Sequence, residues 1–141
     1  MEQIQHLIAT RPVVALHLFS ALLATVIGAI LLTRRKGTGG HRTLGWIWVV
    51  LMANVALTSL FIRGGKLPNI AGWSPIHLLT LTVLITVPAA VYAVRRGKVS
   101  KHRAAMVSIY VGACVVAGGF TLLPGRFLGD LVWKHTLGLV A

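Results

Sequence analysis

Residues 13–42 read VVALHLFSALLATVIGAILLTRRKGTGGHR. Twenty-one residues pass without a charge and with a single imidazole, His17. Three consecutive cations follow, Arg34, Arg35 and Lys36, and a glycine-rich turn leads to His41-Arg42. At ~1.5 Å of helical rise per residue, residues 13–33 cover ~30 Å, the thickness of a bilayer's hydrocarbon core. The cations mark where such a helix would leave the membrane. Three more uncharged stretches of 19 or 20 residues occur, at 44–62, 76–94 and 104–123. None alternates in the short segments that a lipid-facing β-barrel requires. Helices satisfy their own backbone hydrogen bonds, so four transmembrane helices are the reading these stretches impose.

Composition agrees. The chain has 141 residues, 56% of them hydrophobic, and a mean hydropathy of +0.82. A water-soluble domain of that size lacks the interior volume to hide so much apolar surface. The net charge of +12 arises from 14 Lys and Arg against two acids, Glu2 and Asp130. Because the cations cluster between apolar runs, lipid headgroups rather than nucleic acid are the expected partner. Cys114 is the single cysteine, which excludes an intrachain disulfide and a cysteine-based metal cluster. The N-terminal region, with Glu2 and only Arg11 before a long apolar run, reads as leading into a retained helix rather than a cleaved signal.

Nine cations fall in the segments joining helices 1 to 2 and 3 to 4. Five fall on the other side: Arg11, Arg63, Lys66, Arg126 and Lys134. The positive-inside rule therefore places both termini on the outer side. Trp73 and Trp133 fall near the outer boundary and Trp46 near the inner one, as in an aromatic belt. Residues 124–141 are too polar to span, and an apolar stripe of Phe127, Leu128, Leu131 and Val132 suits an interfacial tail helix.

The second half repeats the first. Residues 77–103 read HLLTLTVLITVPAAVYAVRRGKVSKHR. His17-Leu18-Phe19-Ser20 aligns with His77-Leu78-Leu79-Thr80, Arg34-Arg35 with Arg95-Arg96, His41-Arg42 with His102-Arg103, and Arg63 with Arg126, with one inserted residue between the first and second histidines. The expected fold is an all-α membrane protein: a four-transmembrane-helix bundle of two tandem parallel helical-hairpin repeats, about 13–63 and 76–126, within a single membrane domain, 1–141.

The duplication yields two histidine pairs, His17 with His77 near the outer side and His41 with His102 just ahead of helices 2 and 4 at the inner boundary. Two imidazoles facing each other at one depth suit a flat cofactor with one ligand above and one below, and a b-type haem with histidine axial ligands fits that description. Arg42, Arg103, Arg63 and Arg126 are then candidates for pairing with haem propionates or other anions; phospholipid phosphates are their ordinary partners. Ala21, Ala24 and Gly28 follow His17 at helical spacing, a small-residue face that a macrocycle or another helix could approach. Gly45, Trp48 and Met52 hold the same offsets from His41. The competing readings are histidines that only pack helices together, and a copper or zinc site near His6 and His135. Gly112, Gly118 and Gly119 suggest close packing of helix 4, and Pro88 a kink in helix 3. Asn54, Ser108, Tyr110 and several threonines suit hydrogen bonds between helices. The spans hold no carboxylate, which argues against a proton-coupled carrier.

Several motifs taken together resemble a known family. They are Lys36-Gly37-Thr38, His41-Arg42 and Gly45-Trp46, then Ser74-Pro75-Ile76-His77-Leu78, His102-Arg103 with Met106, Tyr110 with Gly112, and Pro124-Gly125-Arg126. Over residues 13–130 they resemble the bacterial membrane-protein family catalogued as domain of unknown function 2306, which implies a bacterial inner (cytoplasmic) membrane and no particular activity. In architecture, paired histidines near each face resemble the di-haem cytochrome b561 proteins. That likeness implies haem b, transmembrane electron transfer, and a quinone or other small redox partner. The histidine spacings here, 24 and 25 residues within the hairpins, depart from that family. The alternatives carried forward are a non-redox scaffold or accessory subunit, and a small haem or metal carrier. A second copy of the chain is a further candidate partner.

Overall fold

The computed structural model describes residues 5, 7, 9–62, 75–123, 129, 132 and 133. Their helices are α1 (Pro12–Thr33), α2 (Gly39–Ser59), α3 (Pro75–Arg95) and α4 (Val99–Phe120). All four are long and apolar enough to cross a membrane, and no strand occurs among the described residues. The candidate metal ligands His6 and His135, the arginines Arg63 and Arg126, and most of the interfacial tail lie outside the described residues.

The helix limits show where sequence reading stopped too early. α2 begins at Gly39 and α4 at Val99, so His41 and His102 sit in first turns rather than in loops. The cations Arg42, Lys101 and Arg103 had marked these turns as loop. Long basic side chains at a span's end extend their charge to the headgroup region while the backbone stays helical. Both turns need a residue with positive φ, and glycine supplies it at Gly37 (φ 80°) and Gly97 (φ 74°). Thr38 caps α2, its hydroxyl accepting from the His41 N–H at 3.2 Å. At the start of α4, Lys98 stands in the cap position and its side chain makes no capping bond.

Neighbours in the bundle are α1–α2, α2–α3, α3–α4 and α4–α1. The ring leaves α1 diagonal to α3 and α2 diagonal to α4. Ala24, Trp48, Met52, Ala56, Val83, Val87 and Ile109 form the buried middle, with Tyr110 and Cys114 packed against them. Met52 Sδ and Cys114 Sγ touch at 3.9 Å, joining the diagonal helices through the centre. Elsewhere large apolar side chains face outward, among them Val50, Leu78 and Ile85, each more than 60% exposed. A bundle whose surroundings are hydrocarbon gains nothing by hiding these groups; close packing and interhelical hydrogen bonds hold it together.

The close approach is at Gly28. A Cβ there would collide with the Tyr110 ring and lie 2.9 Å from Trp48 Nε1. The face expected to admit either a macrocycle or another helix is therefore filled by two aromatic side chains. Among the described residues, nothing lies within 4 Å of where a Cβ would stand on Gly112, Gly118 or Gly119, so none of these residues packs closely against them. Glycine content alone cannot say which glycine a neighbour reaches. Gly28→Ala is expected to destabilise the bundle by ~1–3 kcal/mol, as overpacking does, measured as a lower midpoint on unfolding in mixed micelles.

From Tyr110 to Val116, α4 is a π-helix, with the Ala117 N–H bonded to Gly112 O. Pro88 lies inside α3 on an exposed face.

Candidate functional site

Polar groups collect at the two ends of the packed middle. At the end where α1 and α3 begin, His17 projects from α1 toward α2. Its Nδ1 lies 3.1 Å from Val55 O and 3.1 Å from Thr58 Oγ1. A carbonyl oxygen only accepts, so Nδ1 carries the proton and Nε2 is left with a free lone pair. The Thr58 hydroxyl donates to Asn54 O at 2.6 Å, so its oxygen is free to accept from His17. One turn along, Asn54 Nδ2 donates to Ser20 Oγ at 2.7 Å. The Ser59 and Thr80 hydroxyls are 2.6 Å apart, linking α2 to α3. Ser20, Thr58, Ser59 and Thr80 are buried, so the bonds form in a low dielectric where leaving them unmade would be costly. His77 lies one turn before Thr80 and is half-buried. His17 and His77 thus occupy the same end on diagonal helices, with the Thr58-Ser59 step of α2 between them.

At the hairpin-loop end, His102 repeats the arrangement. Its Nδ1 lies 3.0 Å from Ala90 O of α3, so Nδ1 donates and Nε2 is again the free nitrogen. His41 lies at the same end, in the first turn of the diagonal helix α2. Its Nδ1 is buried without a hydrogen-bond partner, the one such side-chain atom among the described residues. Arg42 and Arg103, each next to a histidine, are exposed.

Between the two ends lies the packed middle. From His41 to Thr58 the helix rises ~26 Å, so the histidine levels are well separated. Two aromatic side chains bridge that layer by hydrogen bonds. Trp48 Nε1 donates to Ala24 O at 2.9 Å, and Tyr110 Oη donates to Thr25 O at 3.2 Å.

Sequence reading picked out the four histidines and, separately, Asn54 and Tyr110. It took the spans' threonines only collectively and did not gather Ser20, Thr58, Ser59 and Thr80 into one cluster. Isolated hydroxyls in apolar helices carry no periodic signal; only the Ser20/Thr80 match within the aligned repeats hinted at a shared level. No group of three or more His, Cys, Asp or Glu gathers among the described residues, a criterion that a two-histidine site does not meet in any case.

A family model described as predicted membrane protein (DUF2306) matches residues 14–130. No curated protein and no solved structure matches the chain.

Proposed function

We propose, from the premise that this chain belongs to the DUF2306 family of predicted membrane proteins, that it is a membrane b-type haem protein that carries electrons across the bilayer. The basic loop end lies on the cytoplasmic side, in accord with the positive-inside rule. The two hairpins, with their matched histidines and matched turn glycines, derive from one duplicated unit. His17 and His77 would hold one haem near the outer side, and His41 and His102 a second near the inner side.

The observation that carries this reading is the tautomer of His17 and His102. Each donates its Nδ1–H to a backbone carbonyl of a neighbouring helix. That bond orients a ligating imidazole and leaves Nε2 as the electron-pair donor toward a metal. His41 Nδ1, buried without a partner, is a second point in favour, since a polar atom buried in this way calls for something to satisfy it. Haem, when bound, supplies a reversible one-electron couple. The chain supplies the rest. The carbonyls of Val55 and Ala90 fix ring orientation, the packed middle excludes water between the levels, and Arg103 provides positive charge beside the inner pair. A quinone or another small redox carrier is the partner class this implies.

The alternative is a non-redox scaffold or accessory subunit, or a small haem or metal carrier. It draws on the same bonds, because a histidine donating across a helix interface also stitches the bundle. An absorption spectrum of detergent-purified protein, oxidised and then reduced with dithionite, separates the cytochrome from the scaffold, and reversible release of haem or metal would favour the carrier. A Soret band with sharp α and β bands on reduction is expected. A protein that stays colourless after haem reconstitution would sink the cytochrome reading.

A further inference from the structure

The loop end carries nine cations in residues 34–42 and 95–103 and no acid. Two of its guanidinium groups rest on aromatic rings. Arg95, ending α3, lies over Trp46 of α2 at 5.5 Å from the ring centroid. Arg96 lies over Tyr92 of its own helix at 5.2 Å. A guanidinium held on a ring face keeps its edge N–H groups available to an anion. Arg42 precedes Trp46 by four residues and shares its face of α2, one turn nearer the loops. Arg42, Trp46 and Arg95 are all exposed. Away from the loops the surface turns apolar: Val50 follows on Trp46's row, and Leu81 lies on Arg95's row, 64% and 52% exposed.

We propose that the groove between α2 and α3 at this end is a specific site for one anionic phospholipid, a reading independent of the haem assignment. The lipid phosphate lies between Arg42 and Arg95, Trp46 sits at the glycerol level, and an acyl chain follows Val50 toward the membrane centre. Arginines match phosphate oxygens two bonds at a time, and an indole is at home at the headgroup boundary. The apolar rows beneath the cations select a lipid over a free phosphate. The site is single. In the α1–α4 groove the corresponding register offers Arg103 and Arg34, yet Val107 stands where Trp46 does, five residues after the histidine in each hairpin. Because Trp46 and Arg95 come from different hairpins, the lipid ties one to the other.

The test uses the full-length protein, delipidated, returned to mixed micelles of phosphatidylglycerol and phosphatidylcholine, and weighed by native mass spectrometry. One retained phosphatidylglycerol per chain is expected. Arg95→Gln and Trp46→Leu should each weaken retention by about fivefold, and Arg96→Gln, whose guanidinium rests on its own helix, by less than about twofold. Arg42→Gln repeats the test from the other wall, so a misfolded Arg95 variant does not end it. Equal losses in all variants would show diffuse attraction and overturn the proposal. So would retention of both lipids alike, or displacement of phosphatidylglycerol by inorganic phosphate.

Discussion

Replacing His17 and His77 together with alanine should remove about half of the haem absorbance and leave the inner pair's reduced bands in place, because one of two two-histidine sites has lost both ligands. The complementary double variant, His41→Ala with His102→Ala, should remove the other half. His17 has a second task, its Nδ1–H bond to Val55 O, and losing that bond costs ~1 kcal/mol whether or not haem is present. His17→Gln separates the two roles. A glutamine amide can still donate across the α1–α2 interface, but it does not replace imidazole as an axial ligand. Under the haem reading, His17→Gln loses the outer bands while keeping its unfolding midpoint. Under the scaffold reading, His17→Ala lowers the midpoint, His17→Gln restores it, and no band exists to lose. Bands that survive both double variants would show that haem sits elsewhere.

The largest effect on stability is expected at Trp48. Its side chain is 3% exposed and packs in the middle layer. Its indole N–H donates to Ala24 O at 2.9 Å, beside Gly28. In water, Trp→Ala in a core costs ~3–5 kcal/mol, part of it the transfer of the side chain out of solvent. Here the alternative surroundings are lipid chains, as apolar as the core, so that part shrinks. The cavity and the lost hydrogen bond remain, and together they put Trp48→Ala at ~2–4 kcal/mol. Trp48→Phe keeps most of the volume and should cost ~1 kcal/mol, the hydrogen bond's share. Reversible unfolding in mixed micelles, followed by far-UV circular dichroism, measures both. Equal losses for alanine and phenylalanine would mean that the hydrogen bond, not the packing, carries the effect.

What the sequence made legible follows from where the physics is local. Uncharged runs of membrane length depend only on neighbouring residues, and all four became helices. The motifs resembling the DUF2306 family cover nearly the same residues as the family match, 14–130. The ends of the runs were less legible, because Arg42 and Arg103 look like loop residues until a helix shows that they reach outward from its first turn. The least legible features were those that pair distant residues. Nothing local distinguishes Gly28, which receives Trp48 and Tyr110, from Gly112, which meets none of the described side chains. Nothing local says that Thr58 would accept from His17 while Ser59, its neighbour, meets Thr80.

The meeting of Tyr110 with Gly28 bears on how the molecule is made. A chain is synthesised from its N-terminus, and Tyr110 reaches back to Thr25 across 85 residues. Until α4 arrives, the first hairpin and α3 present a notch at Gly28 that only Trp48 partly fills, and Met52 lacks the Cys114 sulfur it touches. The last helix is the keystone of a ring whose other members are already in the membrane. A chain cut short after the second turn glycine would lack Tyr110 and Cys114, leaving that notch open to lipid and Met52 without its sulfur contact.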